Sequence, residues 1–312
     1  MGANLARRLL AGGHRVHLLL RPGHRPWRLE GIRDRVTAHV GSLGDAAWLD
    51  GLLKEARPQW VFHLAAYGGY ASQTDLPEML RTNVLGMATF LSACLKAGFE
   101  AFVNAGSSSE YGYVDHPPAE SERLEPNSDY AVTKAFATQH GRSLARRLLA
   151  PITTLRLYSV YGPWEEEARL LPTLIREGLN GRLPPLVSPE TARDFVHVDD
   201  VCEAFVLAAS RPSGEAGAIY NVGTGVQTRI REVVEVARRV LRITAEPRWG
   251  TMEPRPWDTT TWVADSRKIR EELGFSPRFP FEEGFRQMVA WTRREENAAR
   301  GPGGRNPAAR DS

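Results

Sequence analysis

The chain has 312 residues, 42% apolar and 25% charged, with 28 glycines and 21 prolines. That balance suits one large α/β domain or two unequal domains, and it excludes disordered, collagen-like and disulfide-scaffold classes. No run of about 18 apolar residues occurs, which excludes a membrane helix, and a net charge of +3 is too diffuse to argue for nucleic acid.

The chain opens on Met1-Gly2 and a helical stretch, Ala3–Ala11, ended by Gly12-Gly13. Strand-like runs follow at Arg15–Leu20, Val36–Gly41, Gln59–Ala65, Ala101–Ala105 and Ile152–Ser159, with helical stretches at 46–56, 76–97 and 128–149 between them. This alternation predicts an α/β fold with a doubly wound parallel sheet. A parallel α/β domain normally opens with a strand. Here a helix arrives first, so either the central strand is lacking or position 1 is an internal methionine of a longer protein. The second is favoured, because loss of a central strand exposes both its neighbours.

From about residue 165 the pattern turns irregular and Pro-rich, with short helices near 169–179, 199–209, 230–242 and 281–296. The expected organisation is a first domain over 1–165, with part of 195–225 packing back on it. A smaller α/β domain over 166–297 and a disordered tail over 298–312 complete it. Cys94 and Cys202 lie far apart on apolar helical stretches, which predicts free buried thiols and a reducing cytoplasm. The eight histidines have no ligand spacing and His63 sits on a buried strand, so no metal site is expected.

Only four lysines occur, at 54, 96, 134 and 268, so a lysine in a motif carries weight. Tyr130-Ala131-Val132-Thr133-Lys134 follows a Pro-Asn-Ser-Asp helix cap, and the spacing of four puts phenol and ammonium on one face. A cation beside a phenol favours the phenolate, as a proton-transferring tyrosine needs. Alone, the pair also fits a solvated helix face. Its setting argues otherwise: Ser107, Ser108 and Ser109 stand just past the end of an apolar strand, where parallel sheets place ligands. A turn rich in hydroxyls is the plainer reading of those serines.

Eight segments then carry a resemblance: HLAA (His63–Ala66), Asn83-Val84-Leu85-Gly86, GSSSEYG (Gly106–Gly112), YAVTK (Tyr130–Lys134), YGP (Tyr161–Pro163), RDFVHVDDV (Arg193–Val201), YNVGTG (Tyr220–Gly225) and PRPWD (Pro254–Asp258). In this order, over roughly residues 2–292, the chain resembles the extended short-chain dehydrogenase/reductases, in their sugar-nucleotide epimerase/dehydratase branch. The resemblance implies a Rossmann domain with NAD or NADP as cofactor, a nucleoside-diphosphate sugar as substrate, and a homodimer formed through the helices near 76–97 and 128–149. Gly2 then matches the last glycine of the family's Gly-x-x-Gly-x-x-Gly turn, at a helix that holds the cofactor pyrophosphate.

The same resemblance makes Tyr130 the catalytic acid/base, Lys134 its tuning residue on the nicotinamide ribose, and Ser107 the catalytic hydroxyl, with Ser108 second choice and a substrate contact. Leu64, Ala65, Ala66 and Asn83 fall on cofactor-binding positions, and Arg193 and Arg255 on the two arginines that meet the substrate diphosphate. Asp194 and Asp258 are expected to orient backbone or arginines. Arg21 stands where NAD-preferring members carry an acid, so it is read either as a 2′-phosphate ligand favouring NADP or as one more exposed arginine. Ser42 and Ser159 replace an Asp and an Asn of many relatives.

Dehydratases of the branch place an acidic pair directly after the hydroxyl residue. Here those positions are Ser108 and Ser109, and Glu110 comes one step later, which disfavours a 4,6-dehydratase. The expectation is therefore UDP-glucose 4-epimerase-like hydride transfer at hexose C4. An NADPH-dependent 4-keto-sugar reductase is the alternative, and a non-catalytic dinucleotide-binding regulator or a reductase of non-nucleotide substrates fits less well.

Overall fold

Alternation of side chains along each strand decides which layer a residue joins. The computed structural model describes residues 1–24, 26–211, 213–253 and 258–300, with Pro26 and residues 296–300 described by backbone alone. Helix α1 (Gly2–Ala11) leads to strands β1 (Val16–Leu20) and β2 (Val36–Val40), helix α2 (Ala46–Ala56) and β3 (Trp60–His63). Helices α3 (Leu76–Met79) and α4 (Met87–Ala97) are joined without a break by a π-helical segment, Leu80–Gly86. Next come β4 (Ala101–Ser107), α5 (Asp129–Leu148), β5 (Ile152–Leu157), β6 (Ser159–Tyr161) and α6 (Leu170–Leu179). The remaining elements are β7 (Ala192–Arg193), β8 (Phe195–His197), α7 (Val198–Ser210), β9 (Ile219–Val222), β10 (Thr228–Arg229), α8 (Ile230–Leu241), α9 (Arg267–Leu273) and α10 (Phe281–Arg300).

A four-stranded parallel sheet runs in the order β3-β4-β5-β9, and β1 and β2 form a separate parallel pair. No ladder joins β1 to β3 among the described residues. Along β4, Ala101, Val103 and Ala105 face a core shared with Leu5, Leu9, Cys202 and Phe205 of α1 and α7. Phe102 faces the opposite core, with Leu49, Phe90, Leu91 and Ala137 of α2, α4 and α5. Helices thus cover both faces, which makes the sheet doubly wound. Phe102 is fully buried, and truncating such a ring costs about 3–5 kcal/mol. A third core joins α6, α8 and α10 around Leu174, Ile175, Val233, Val234, Phe285 and Met288.

Several expected boundaries move. β3 stops at His63 rather than Ala65, whereas β4 continues to Ser107 because its ladder with β5 extends to the Ser107–Leu157 pair. The expected strand Ile152–Ser159 is divided, since β6 leaves the main sheet to pair with β8. Helix α9 was not anticipated. Helix α10 runs to Arg300, so Ala298–Arg300 are helical instead of belonging to a disordered tail, and residues 301–312 lie outside the described residues. Both cysteines are free and buried. Among the described residues no helix is long and apolar enough to cross a membrane.

Candidate functional site

The site grows from the end of β4. Ser107 closes the strand and caps the turn Ser108–Tyr111: its backbone N–H donates to Glu110 Oε1 at 2.8 Å, and its Oγ lies 2.7 Å from Ser109 Oγ. A Cβ at Gly106 would sit 2.8 Å from Glu110 Oε1 and 2.8 Å from Thr154 Cγ2, so the turn approaches its neighbours as closely as only glycine allows. Ser108, expected beside the substrate, is 6% exposed. The hydroxyl bonded to Ser107 belongs to Ser109, because the tight turn brings together residues two apart.

Tyr130 lies in the first turn of α5, where Ser128 caps the helix by accepting the Ala131 N–H at 3.2 Å. The Ser107 side chain acts on its hydroxyl in the sense that favours the phenolate. Lys134 is 4% exposed, and its Nζ donates to the Ala105 carbonyl of β4. The expected lowering of the phenol by Lys134 is corrected here. Burial, reinforced by the Glu110 charge, pushes Tyr130 up to about 12. Burial likewise pushes Lys134 down to about 8, against the opposing pull of Glu110. The ammonium is directed at a backbone carbonyl, so its charge is not aimed at the phenol.

Asn83, read as a cofactor contact, is engaged inside the protein. Its Oδ1 accepts the Tyr67 N–H at 2.8 Å, and its Nδ2 donates to the Tyr67 carbonyl and to Thr133 Oγ1 at 2.7 and 2.9 Å. It therefore shapes the loop after β3, in which Leu64 is half-buried and Ala65 and Ala66 are exposed. Arg21 is exposed directly after β1, on a cavity it shares with Leu20, Gly23, His24 and Arg33. Ser42 is exposed, and Ser159 lies in β6.

On β7, Arg193 Nη2 donates to Asp258 Oδ1 at 2.8 Å, and its guanidinium lies 5.4 Å from the Trp262 ring. Asp194 accepts the Thr224 and Gly225 N–H groups and that of Ala264, at 2.8, 2.9 and 3.1 Å, which closes the loop after β9. Both acids orient partners, as their positions suggested. Arg255 lies outside the described residues.

A family model described as the NAD dependent epimerase/dehydratase family matches residues 1–223. The chain belongs to that family. A dTDP-glucose 4,6-dehydratase of Streptomyces griseus is 31% identical over 258 residues, covering 80% of this chain and 76% of that protein. MoeE5, solved with UDP-glucose and NAD, is 32% identical with a TM-score of 0.83, covering 95% of this chain and 96% of that one. MoeE5 has also been solved with UDP-glucuronic acid and NAD. UDP-glucose 4-epimerase of Thermotoga maritima, with UDP-glucose, is 26% identical with a TM-score of 0.85 over 94% of this chain and 95% of its own.

As a member of this NAD dependent epimerase/dehydratase family the chain is an NAD(P)-dependent enzyme, and its residues fit such a dinucleotide. Gly2 is exposed at the start of α1, and a Cβ there would meet nothing within 4 Å. The backbone at that helix end can therefore be approached closely at Gly2, as a pyrophosphate needs. Among the described residues no cluster of three or more His, Cys, Asp or Glu is set to hold a metal.

Three features escaped the sequence reading. Ser109 was passed over for Ser108, and nothing in three identical residues distinguishes them before the turn is built. Glu110 is 0% exposed and bonded to Arg156 Nε at 2.9 Å across 46 residues of chain, a pairing with no local signal. Glu165 has one buried oxygen without a hydrogen-bond partner among the described residues. Burial pushes it up to about 7, against the nearby Arg169 charge. Arg169 also acts on Tyr130.

Proposed function

We propose that this enzyme epimerises a nucleoside-diphosphate sugar at hexose C4, in the manner of a UDP-glucose 4-epimerase. The observation that carries it is Ser107 at the end of β4 set against Tyr130 and Lys134 in the first turns of α5, with no free acid in the adjoining turn: positions 108 and 109 are serines, and Glu110 is held by Arg156 and Thr138. Removal of the C6 hydroxyl as water requires an acid to protonate it, and this turn offers none. The bound nicotinamide dinucleotide supplies hydride acceptance and return at C4.

Tyr130 takes the proton of the 4-hydroxyl as the C4–H bond breaks, leaving a 4-keto sugar. Ser107 donates to the developing carbonyl oxygen. Rotation of the keto sugar presents its other face, and Tyr130 returns the proton as C4 is reduced, so no atoms or electrons are gained or lost overall. Lys134, one helical turn on from Tyr130, would hold the nicotinamide ribose, and Arg193, with Arg255, would take the substrate diphosphate. Exposed Leu80, Leu85, Val132 and Phe136 on the α3–α4 rod and α5 suit a homodimer. The two buried free thiols suit a reducing cytoplasm.

The test is proton NMR of purified protein with UDP-glucose and, separately, with its C4 epimer UDP-galactose. Interconversion from both sides supports the reading. A 4-keto-6-deoxy product from dTDP-glucose overturns it in favour of dehydration, the activity named for the Streptomyces griseus relative. Exposed Arg21 favours the second reading, a 4-keto-sugar reductase using NADPH. Mass spectrometry of the dinucleotide released on denaturation separates them. Retained NAD indicates the epimerase, and an empty site that prefers NADPH over NADH indicates the reductase.

A further inference from the structure

We propose that Glu110 is a positioning residue for the reaction, a single buried carboxylate that ties the Ser107 turn to the Tyr130–Lys134 helix and sets the charge both of them feel. The inference rests on the roles given above to Ser107, Tyr130 and Lys134.

The geometry is that of a keystone. Glu110 Oε1 accepts two bonds, from the Ser107 N–H at 2.8 Å and from Thr138 Oγ1 at 2.9 Å, and Oε2 accepts Arg156 Nε at 2.9 Å. Ser107 belongs to β4, Thr138 to α5 one turn beyond Lys134, and Arg156 to β5, so one group fixes three elements. Glu110 and Arg156 are 0% and 1% exposed as side chains. Arg156 is held in turn by the Tyr111 hydroxyl at 2.7 Å, and that hydroxyl donates to Asn221 Oδ1 at 2.7 Å on β9. A fully bonded buried network of this kind has one arrangement, and it transmits that arrangement to the Ser107–Tyr130 distance.

The electrostatic part follows from what surrounds the pair. Tyr130 is faced by Glu110 from the turn, Arg169 from the start of α6, Tyr70 from the loop after β3 and Ser107 from β4. Lys134 is faced by Glu110, and its own charge reaches His63 on β3. Among the described residues Glu110 is the one carboxylate shown acting on both, raising each of them. It opposes the deprotonation that Tyr130 must undergo, and it keeps the buried Lys134 charged.

The experiment measures kcat and KM for UDP-glucose against pH in the wild type, Tyr130→Phe, Glu110→Gln and Thr138→Val. Glu110→Gln should lower kcat about 100-fold with KM within about threefold, because misplacement acts on the transition state. Its ascending pH limb should move to lower pH, since a negative charge near the phenol is gone. A role in folding alone leaves that limb in place. Because Glu110→Gln leaves Arg156 unpaired and can unfold the chain, Thr138→Val serves as the second variant. It keeps the charge and removes one anchor, and should lower kcat about tenfold with the limb unmoved. A folded Glu110→Gln enzyme with wild-type kcat and pH limb, or a Thr138→Val enzyme with wild-type kcat, overturns the proposal. Undiminished turnover in Tyr130→Phe instead removes the roles on which it rests.

Discussion

The side-chain amide of Asn83 donates to the Thr133 hydroxyl at 2.9 Å, while that hydroxyl donates to the Tyr130 carbonyl at 2.8 Å. A residue from the π-helical segment is thereby coupled to the first turn of α5, and through Tyr67 to the loop after β3. Single turns of π-helix recur at functional sites because they displace one side chain from the regular helical face.

Asn83→Ala leaves the Tyr67 N–H and the Thr133 hydroxyl without this partner. Each unsatisfied buried group costs about 1–3 kcal/mol, so the unfolding midpoint should fall by several degrees. Affinity for NAD should weaken as well, because the loop bearing Ala65 and Ala66 loses its anchor. Calorimetry with and without NAD reads both, and an unchanged midpoint would contradict the buried bonds.

Lys134 gives stability a pH signature. Its folded pKa of about 8 lies below the unfolded value of 10.5, so between those limits the unfolded chain binds the extra proton. Stability from this group therefore rises as pH increases from about 8 to 10.5, by roughly 3 kcal/mol. Lys134→Met removes the buried ammonium, and its advantage over the wild type should be largest at pH 7.5 and shrink toward pH 10. Urea midpoints across that range check it, and a constant difference would count against a depressed Lys134.

Cys94 and Cys202 are both pushed up to about 12 by burial. Neither should react with a thiol-directed reagent in the native protein at pH 8, and both should react in denaturant. Rapid native labelling at either position would contradict the packing described.

Arg193 holds Asp258 at 2.8 Å on the face assigned to the substrate diphosphate. Arg193→Ala should raise KM for UDP-glucose roughly tenfold, with NAD affinity unchanged, since a forked guanidinium–diphosphate contact is lost on the substrate side alone. Equal loss of NAD affinity would place the arginine elsewhere in the reaction.

The amino-acid sequence alone determined the alternation that builds the doubly wound sheet, the cap that starts α5 beneath Tyr130, and the register of Tyr130 against Lys134. These are properties of period and of neighbours within a few residues, and a strand or helix expresses them wherever it packs. Tertiary structure alone decided that Glu110 is a buried partner of Arg156, that Asn83 turns inward to Tyr67, and that Lys134 faces the Ala105 carbonyl. Each depends on elements distant in sequence arriving at one place, and on burial that sets how strongly a charge is felt. The electrostatics of Tyr130 changed direction for that reason: spacing put a cation on its helix face, and the fold put desolvation and a carboxylate against the phenol.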